Sequence, residues 1–253
     1  MELNFKEFGQ GDPIIILHGL FGTSDNWQTI AKQLAEDYTV FILDLRNHGR
    51  SPHDDAFNYK VMAEDLKYFM ESHWIYTTRV IGHSMGGKTA MQFALDYPDM
   101  VEQLIVVDIA NQTYEGGHEE IFNALLSLEL ETIISRKAAD VFLKDQIEDF
   151  GVRQFLLKNL TRNKTGQYEW KMNLPVIHKN YSAILDKIEG EEPFENATLF
   201  IKGGLSKYIT DENFKTTQQL FPSAKLKTIE KVGHWVHAEA PQELLRTLRD
   251  FLK

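Results

Sequence analysis

The 253-residue sequence contains no cysteine. Disulfides, thiolate metal sites and cysteine nucleophiles are therefore excluded, and a reducing compartment suits the chain. Positive charge is scarce: 27 Lys and Arg face 37 Asp and Glu, a net charge of −10. Such a chain repels nucleic-acid phosphates and anionic lipid, so no nucleic-acid partner is expected. No apolar run approaches the roughly 20 residues needed to cross a bilayer, so no membrane span is expected. The stretch Met1 to Glu7 lacks the basic and apolar regions of a signal peptide. These readings predict a soluble, cytoplasmic protein. The H-E-x-x-H motif, the P-loop and the dinucleotide-binding glycine fingerprint are missing too, and the nine histidines are scattered. Neither a metal nor a nucleotide cofactor is expected.

Hydrophobic residues at 43% and charged residues at 25% are ordinary globular usage, and the length suits one large α/β domain. Short apolar runs without alternation punctuate the first half: Ile14 to Leu17, Thr39 to Leu43, Thr78 to Ile81 and Leu104 to Val107. Strands buried on both faces of a parallel sheet read this way. Tyr59 to His73 and Lys88 to Tyr97 between them have helical patterns. After Asp108 the pattern changes to helical stretches with no clear strand: Glu119 to Glu131, Ser135 to Phe150 and Val152 to Leu160. Strand signals return at Thr198 to Ile201 and Lys225 to Glu230, and Pro241 to Leu252 reads as a closing helix. The predicted fold class is α/β, a doubly wound, mostly parallel sheet. Residues 1–110 and 196–253 form its core, and 111–195 a helical insertion lying over the strand ends as a cap.

The chemistry-bearing residues fall at strand ends, where such sheets place their sites. Gly82-His83-Ser84-Met85-Gly86-Gly87 contains G-x-S-x-G. Alone the pattern is weak, arising by chance in roughly one chain in ten of this length. Here it follows an apolar run and precedes a helix, the strand–turn–helix setting of a strained nucleophile elbow with small neighbours. Ser84 is the candidate nucleophile. A serine hydroxyl needs an adjacent base, and Val232-Gly233-His234-Trp235-Val236-His237 supplies it between the last strand and the last helix. His234 is preferred to its neighbour His237 because Gly233 precedes it in a tight loop. Acyl transfer also needs backbone N–H groups for the oxyanion. Met85, after the nucleophile, and Leu20, in His18-Gly19-Leu20-Phe21-Gly22, are the candidates.

Two strand ends can supply an acid. Asp108 ends the run Leu104 to Val107. The other end, after Phe200-Ile201-Lys202-Gly203-Gly204, reads Leu205-Ser206-Lys207, with Asp211 further down the loop. Ser206 cannot hold a charge against an imidazolium, and Asp211 looks displaced. Asp108 is the choice, with the loop of Ser206 and Asp211 as the alternative and Ser206 as an auxiliary hydrogen-bonding member. Asp44-Leu45-Arg46-Asn47-His48-Gly49-Arg50-Ser51 is read first as a brace for the loop beside the oxyanion site, and second as an anion-binding turn.

On these motifs the whole chain resembles the α/β-hydrolase superfamily. The Arg-Asn-His-Gly-x-Ser form at Arg46 to Ser51 and the Gly86-Gly87-Lys88 run after the nucleophile are similar to a small subfamily that cleaves acyl esters and acyl-CoA thioesters. The resemblance implies an acid after the strand that follows the nucleophile's, matching Asp108, and a serine joining that site, matching Ser206. Leu205 departs from the usual loop. The implied activity is that of a serine esterase or thioesterase acting on a small acyl ester or thioester through an acyl-enzyme. The alternatives are a cofactor-free C–C hydrolase or lyase, or a ligand sensor on the same fold. Phe122, Leu125, Leu126, Phe142, Phe155 and Leu156 in the insertion either line an acyl pocket or pack its core, and the core is the favoured use for most.

Overall fold

The computed structural model describes all 253 residues. Nine strands form: β1 (Phe5–Phe8), β2 (Pro13–Leu17), β3 (Thr39–Leu43), β4 (Thr78–His83), β5 (Val101–Val107), β6 (Leu160–Arg162), β7 (Tyr168–Trp170), β8 (Thr198–Gly203) and β9 (Ala224–Ile229). Seven of them make one sheet in the order β1-β3-β2-β4-β5-β8-β9. All its pairings are parallel except that of the edge strand β1, which runs antiparallel to β3.

The helices of the sheet domain are α1 (Gln28–Leu34), α2 (Tyr59–Ser72) and α3 (Met85–Asp96), and later α9 (Asp211–Thr217), α10 (Val236–Glu239) and α11 (Pro241–Leu252). Between β5 and β8 the chain adds α4 (Glu119–Leu126), α5 (Arg136–Leu143), α6 (Phe150–Leu157), α7 (Leu174–Lys179) and α8 (Tyr181–Leu185). Successive strand residues serve opposite faces. Ile15, Leu17, Val80, Val106 and Phe200 join Leu66, Phe69, Met91 and Phe93 of α2 and α3 in one core. Ile14, Ile16, Ile81, Ile105 and Ile201 join Ile30, Leu34, Leu244 and Leu248 of α1 and α11 in the other. Burial of both faces is why these strands read as unbroken apolar runs.

The inserted segment is not wholly helical. β6 and β7 pair antiparallel as a separate two-stranded ribbon, correcting the expectation of no strand there. The Asn163 carboxamide oxygen closes its turn by accepting from the Thr165 and Gln167 amides, and Gly166 takes a left-handed φ of 86°. Strands of three residues are too short to show alternation. The helix expected over Ser135 to Phe150 stops at Leu143, where the Gln146 and Ile147 amides turn back onto Leu143 O, and Asp149 starts a new one by accepting from the Val152 amide at 2.9 Å. Inside the segment Phe122 is fully buried, its ring 5.0 Å from that of Tyr181 and 5.1 Å from that of Phe21 in the sheet domain.

Phe122→Ala is expected to lower unfolding stability by about 3–5 kcal/mol, as loss of a fully buried aromatic does. Urea unfolding followed by tryptophan fluorescence measures this.

Candidate active site

β4 delivers Ser84 onto a sharp turn. Ser84 has φ 53° and ψ −119°, a conformation strained for a residue with a side chain, and α3 begins at the next residue. The turn is possible because its neighbours lack side chains. A Cβ on Gly82 would lie 2.2 Å from Gly86 O, and one on Gly86 would lie 2.5 Å from His18 O. The Ser84 amide donates to Val107 O at 3.0 Å, tying the turn to the end of β5.

Asp108 follows β5, also at a left-handed φ of 53°, and is fully buried. Its Oδ1 accepts from the Gly203 amide at 2.9 Å. Its Oδ2 accepts from Ser206 Oγ at 2.5 Å and from His234 Nδ1 at 2.8 Å. Asp211, the alternative acid, is an exposed first residue of α9 and touches none of these groups. The bond to Asp108 uses Nδ1 of His234, leaving Nε2 as its acceptor. Ser84 and His234 share the wall of one cavity but are not hydrogen-bonded to each other. Catalytic hydrogen bonds are often open before substrate binds. His237 is placed elsewhere: its ring stacks on Trp27 at 4.8 Å, and burial pushes its pKa down to about 4.

The loop after β2 supplies the opposite wall. Gly22 N donates to Gly19 O at 2.9 Å, closing a turn over Leu20 and Phe21, with Phe21 at φ 59°. The Leu20 and Met85 amides donate to no other group of the protein, and both residues line the cavity. Two histidines hold this turn from beneath. His48 Nε2 accepts from the Phe21 amide at 3.3 Å while its Nδ1–H donates to Arg46 O at 3.0 Å. His18 Nε2 accepts from the Leu45 amide at 3.0 Å while its Nδ1–H donates to Gly19 O at 2.8 Å. A ring nitrogen that accepts from N–H carries no proton, so both rings are neutral with a defined tautomer. Burial, reinforced by His18, pushes His48 down to about 3.

The segment Asp44 to Ser51 is a brace. The Asp44 carboxylate accepts from the Ser24 and Arg50 amides and from Asn4 Nδ2. Arg46 grips Asp65 at 2.6 and 2.8 Å and donates to Ala56 O and Val61 O, spending four of its five N–H groups, and the Asp54 carboxylate lies 3.7 Å from Nη1.

The cavity measures about 170 Å³, and 16 of its 28 lining residues are hydrophobic. Of the six apolar residues singled out in the insertion, Phe155 and Leu156 line it. Phe122 and Leu125 lie in the packed core, and Leu126 and Phe142 are exposed. Three further contributors stand out in the structure. Tyr208 lays its ring 4.2 Å from that of His234. Asn159, two residues past α6, donates from Nδ2 to Phe21 O at 2.7 Å. Lys88, a full turn into α3, lines the cavity from a buried position. In the sequence Lys88 stands out only as the last residue of the Gly86-Gly87-Lys88 run, four residues after Ser84 on the same helix face. No three His, Asp or Glu side chains gather as a metal-ligand set.

Neutral histidines withdrawn wholly or partly from solvent make the fold acid-sensitive. His48, at about 3, and His118 and His237, at about 4, each start from an ordinary 6.5. The unfolded chain binds their protons first as pH falls, so the stability they contribute is whole above pH 6.5 and lost downward through pH 4. His48 alone is expected to cost about 3 kcal/mol between pH 6.5 and 4. Urea midpoints over that range should fall steeply, and less steeply in His48→Gln.

Residues 12–241 match the family model of the alpha/beta hydrolase fold. The chain is 39% identical to the sn-1-specific diacylglycerol lipase ABHD11 of Xenopus laevis, over 96% of this chain and 80% of that one. It is 36% identical to esterase YbfF of Escherichia coli, over 95% of this chain and 92% of that one. The solved structure of a marine microorganism esterase superposes with a TM-score of 0.97 at 43% identity, covering 99% of both chains. With its mostly parallel sheet and a serine elbow opening on an apolar cavity, the chain belongs to the α/β-hydrolase family and is a carboxylic ester hydrolase.

Proposed function

We propose that the chain cleaves acyl esters and acyl-CoA thioesters through a Ser84–His234–Asp108 triad and an acyl-enzyme. The observation that carries this reading is the buried Asp108 carboxylate on His234 Nδ1 at 2.8 Å, beside a serine held on a strained elbow in the same cavity. His234 Nε2 takes the proton of Ser84 as Oγ attacks the acyl carbonyl carbon. The Leu20 and Met85 amides hold the oxyanion. The tetrahedral intermediate collapses, and the proton on His234 passes to the departing alcohol or thiol. Water then attacks the acyl-enzyme with His234 again as base, releasing the acid and restoring Ser84. Asp108 holds the tautomer that leaves Nε2 free and stabilises the imidazolium. Ser206 shares the Asp108 oxygen that meets His234 and keeps the carboxylate aimed. His18 and His48 keep the oxyanion turn in shape without competing for protons.

Residues 111–195 act as a cap in this reading. They supply Phe155, Leu156, Ile184 and Leu185 to the cavity wall, and these apolar side chains receive the acyl chain.

The test is hydrolysis of a chain-length series of p-nitrophenyl esters and acyl-CoAs. Ser84→Ala is expected to lower kcat by ~10⁴-fold or more on every active substrate with folding unchanged. Retained turnover would remove Ser84 from the reaction, and a native protein inactive on all acyl-CoAs would remove the thioester half of the proposal. Ser206→Ala loses a charge-assisted bond to Asp108 and is expected to lower kcat about tenfold with KM nearly constant. A change in KM alone would assign Ser206 to substrate binding instead.

A further inference from the structure

α3 carries a buried cation that the hydrolytic scheme does not use. Lys88 is 1% exposed. Its ammonium donates to Gln112 O at 2.8 Å, Leu185 O at 3.1 Å and Asp186 O at 2.5 Å. The rings of Tyr114 and Tyr59 flank it, with centroids 4.8 and 5.7 Å from Nζ. An ammonium has three N–H groups and no acceptor, so its donors are all spent.

The acceptors have one thing in common. Gln112 lies where the chain leaves the sheet for the insertion, and Leu185 and Asp186 lie where it returns. The two connecting segments also bind each other. The Tyr114 amide donates to Leu185 O at 2.9 Å. The Asn111 carboxamide accepts from the Ile188 amide at 2.6 Å and donates to Ile188 O at 3.0 Å. Thr113 Oγ1 donates to the Asp186 carboxylate at 2.9 Å. The pair forms a hinge ribbon, and Lys88 fastens it to the helix that starts at the nucleophile. An apolar side chain of the same length would fill this space without the cost of desolvating a charge. What the charge adds is three directed bonds across the hinge.

We propose that Lys88 is a positioning residue, a clasp that holds both hinge segments of the insertion against the nucleophile helix and so keeps the acyl cavity closed. The inference rests on the reading of that cavity as an acyl pocket, but the clasp itself is measured without turnover. It also releases on deprotonation, because a neutral amine has two N–H groups for three carbonyls and turns its lone pair on the third. The titratable groups facing Lys88 are Tyr59 from α2, Tyr114 from the entering segment and Asp186 from the returning one. Both phenols are pushed up by burial and stay neutral. Asp186 is exposed and its carboxylate is pulled down by Thr113, so it stays charged. Burial brings the Lys88 amine down to about 7, against the opposing pull of Asp186.

The experiment is amide hydrogen exchange of residues 111–114 and 185–188 in the native protein, Lys88→Met, and Lys88→Cys before and after aminoethylation to the thia-analogue of lysine. The chain has no cysteine of its own, so modification in denaturant followed by refolding is site-specific. Lys88→Met and unmodified Lys88→Cys are expected to exchange hinge amides at least tenfold faster while core-strand amides keep their rates. The rise in KM is expected to grow with acyl-chain length, to about tenfold for octanoyl and longer esters. Aminoethylation restores both. Equal hinge exchange in all forms, or a loss that is uniform over chain length, overturns the clasp. Should the variants not fold, the native protein alone decides: hinge amides that exchange at pH 6 as fast as amides of exposed loops overturn the clasp. Hinge protection relative to the core falls between pH 6 and 10, and flat protection over that range overturns its release on deprotonation. Altered hinge exchange with no hydrolysis of any ester sinks the acyl-pocket reading and leaves the clasp standing.

Discussion

The Asp108 carboxylate is the constraint on which the rest of the site depends. It is fully buried, and a buried charge is tolerated only when its lone pairs are met. Three donors from three parts of the chain meet them: the Gly203 amide at the end of β8, the Ser206 hydroxyl in the loop beyond, and His234 between β9 and α10. One side chain thus fixes the relative position of three strand ends. Its backbone participates too, since the Asp108 amide donates to Ile201 O at 2.8 Å and so continues the β5–β8 ladder.

Around that anchor the sheet does the arranging. Parallel strands with matched registers end at one level, so Leu17, His83, Val107 and Gly203 open onto a single rim. Ser84, Asp108 and the turn of Leu20 and Phe21 each begin within a few residues of that rim. Two of the local conformations there are costly: Ser84 and Asp108 both take left-handed backbone angles. The packing on both sheet faces overdetermines the strands that lead into them, and that is how the strain is held.

The fold was legible in the sequence wherever a feature was local and periodic. Buried strands announced themselves as apolar runs, and Pro241 marked the start of α11. The elbow was legible because Gly82 and Gly86 are sterically required. What the sequence hid is equally physical. The ribbon of β6 and β7 is too short for a period. Asp108 was preferred to Asp211 by its strand end, by the displacement of Asp211 down its loop and by the resemblance, and the hydrogen bonds of Asp108 to Ser206 and His234 arise only where β5 and β8 lie side by side. Tyr208, Lys88 and Asn159 act across long sequence separations, with partners that are backbone atoms or ring faces. No residue spacing encodes such contacts.

The Asn159 contact has a consequence for how this enzyme can be altered. Asn159 belongs to the inserted segment, yet its carboxamide holds Phe21 O at 2.7 Å, in the turn that presents the Leu20 amide. The segment that supplies part of the cavity wall is therefore also part of the scaffold of the turn on its opposite side. A chimaera carrying a foreign insertion would exchange more than a specificity element: it would remove a strut from the sheet domain's own turn. Cavity wall and turn are not separable modules in this chain, and a library that diversifies the insertion should hold Asn159 constant.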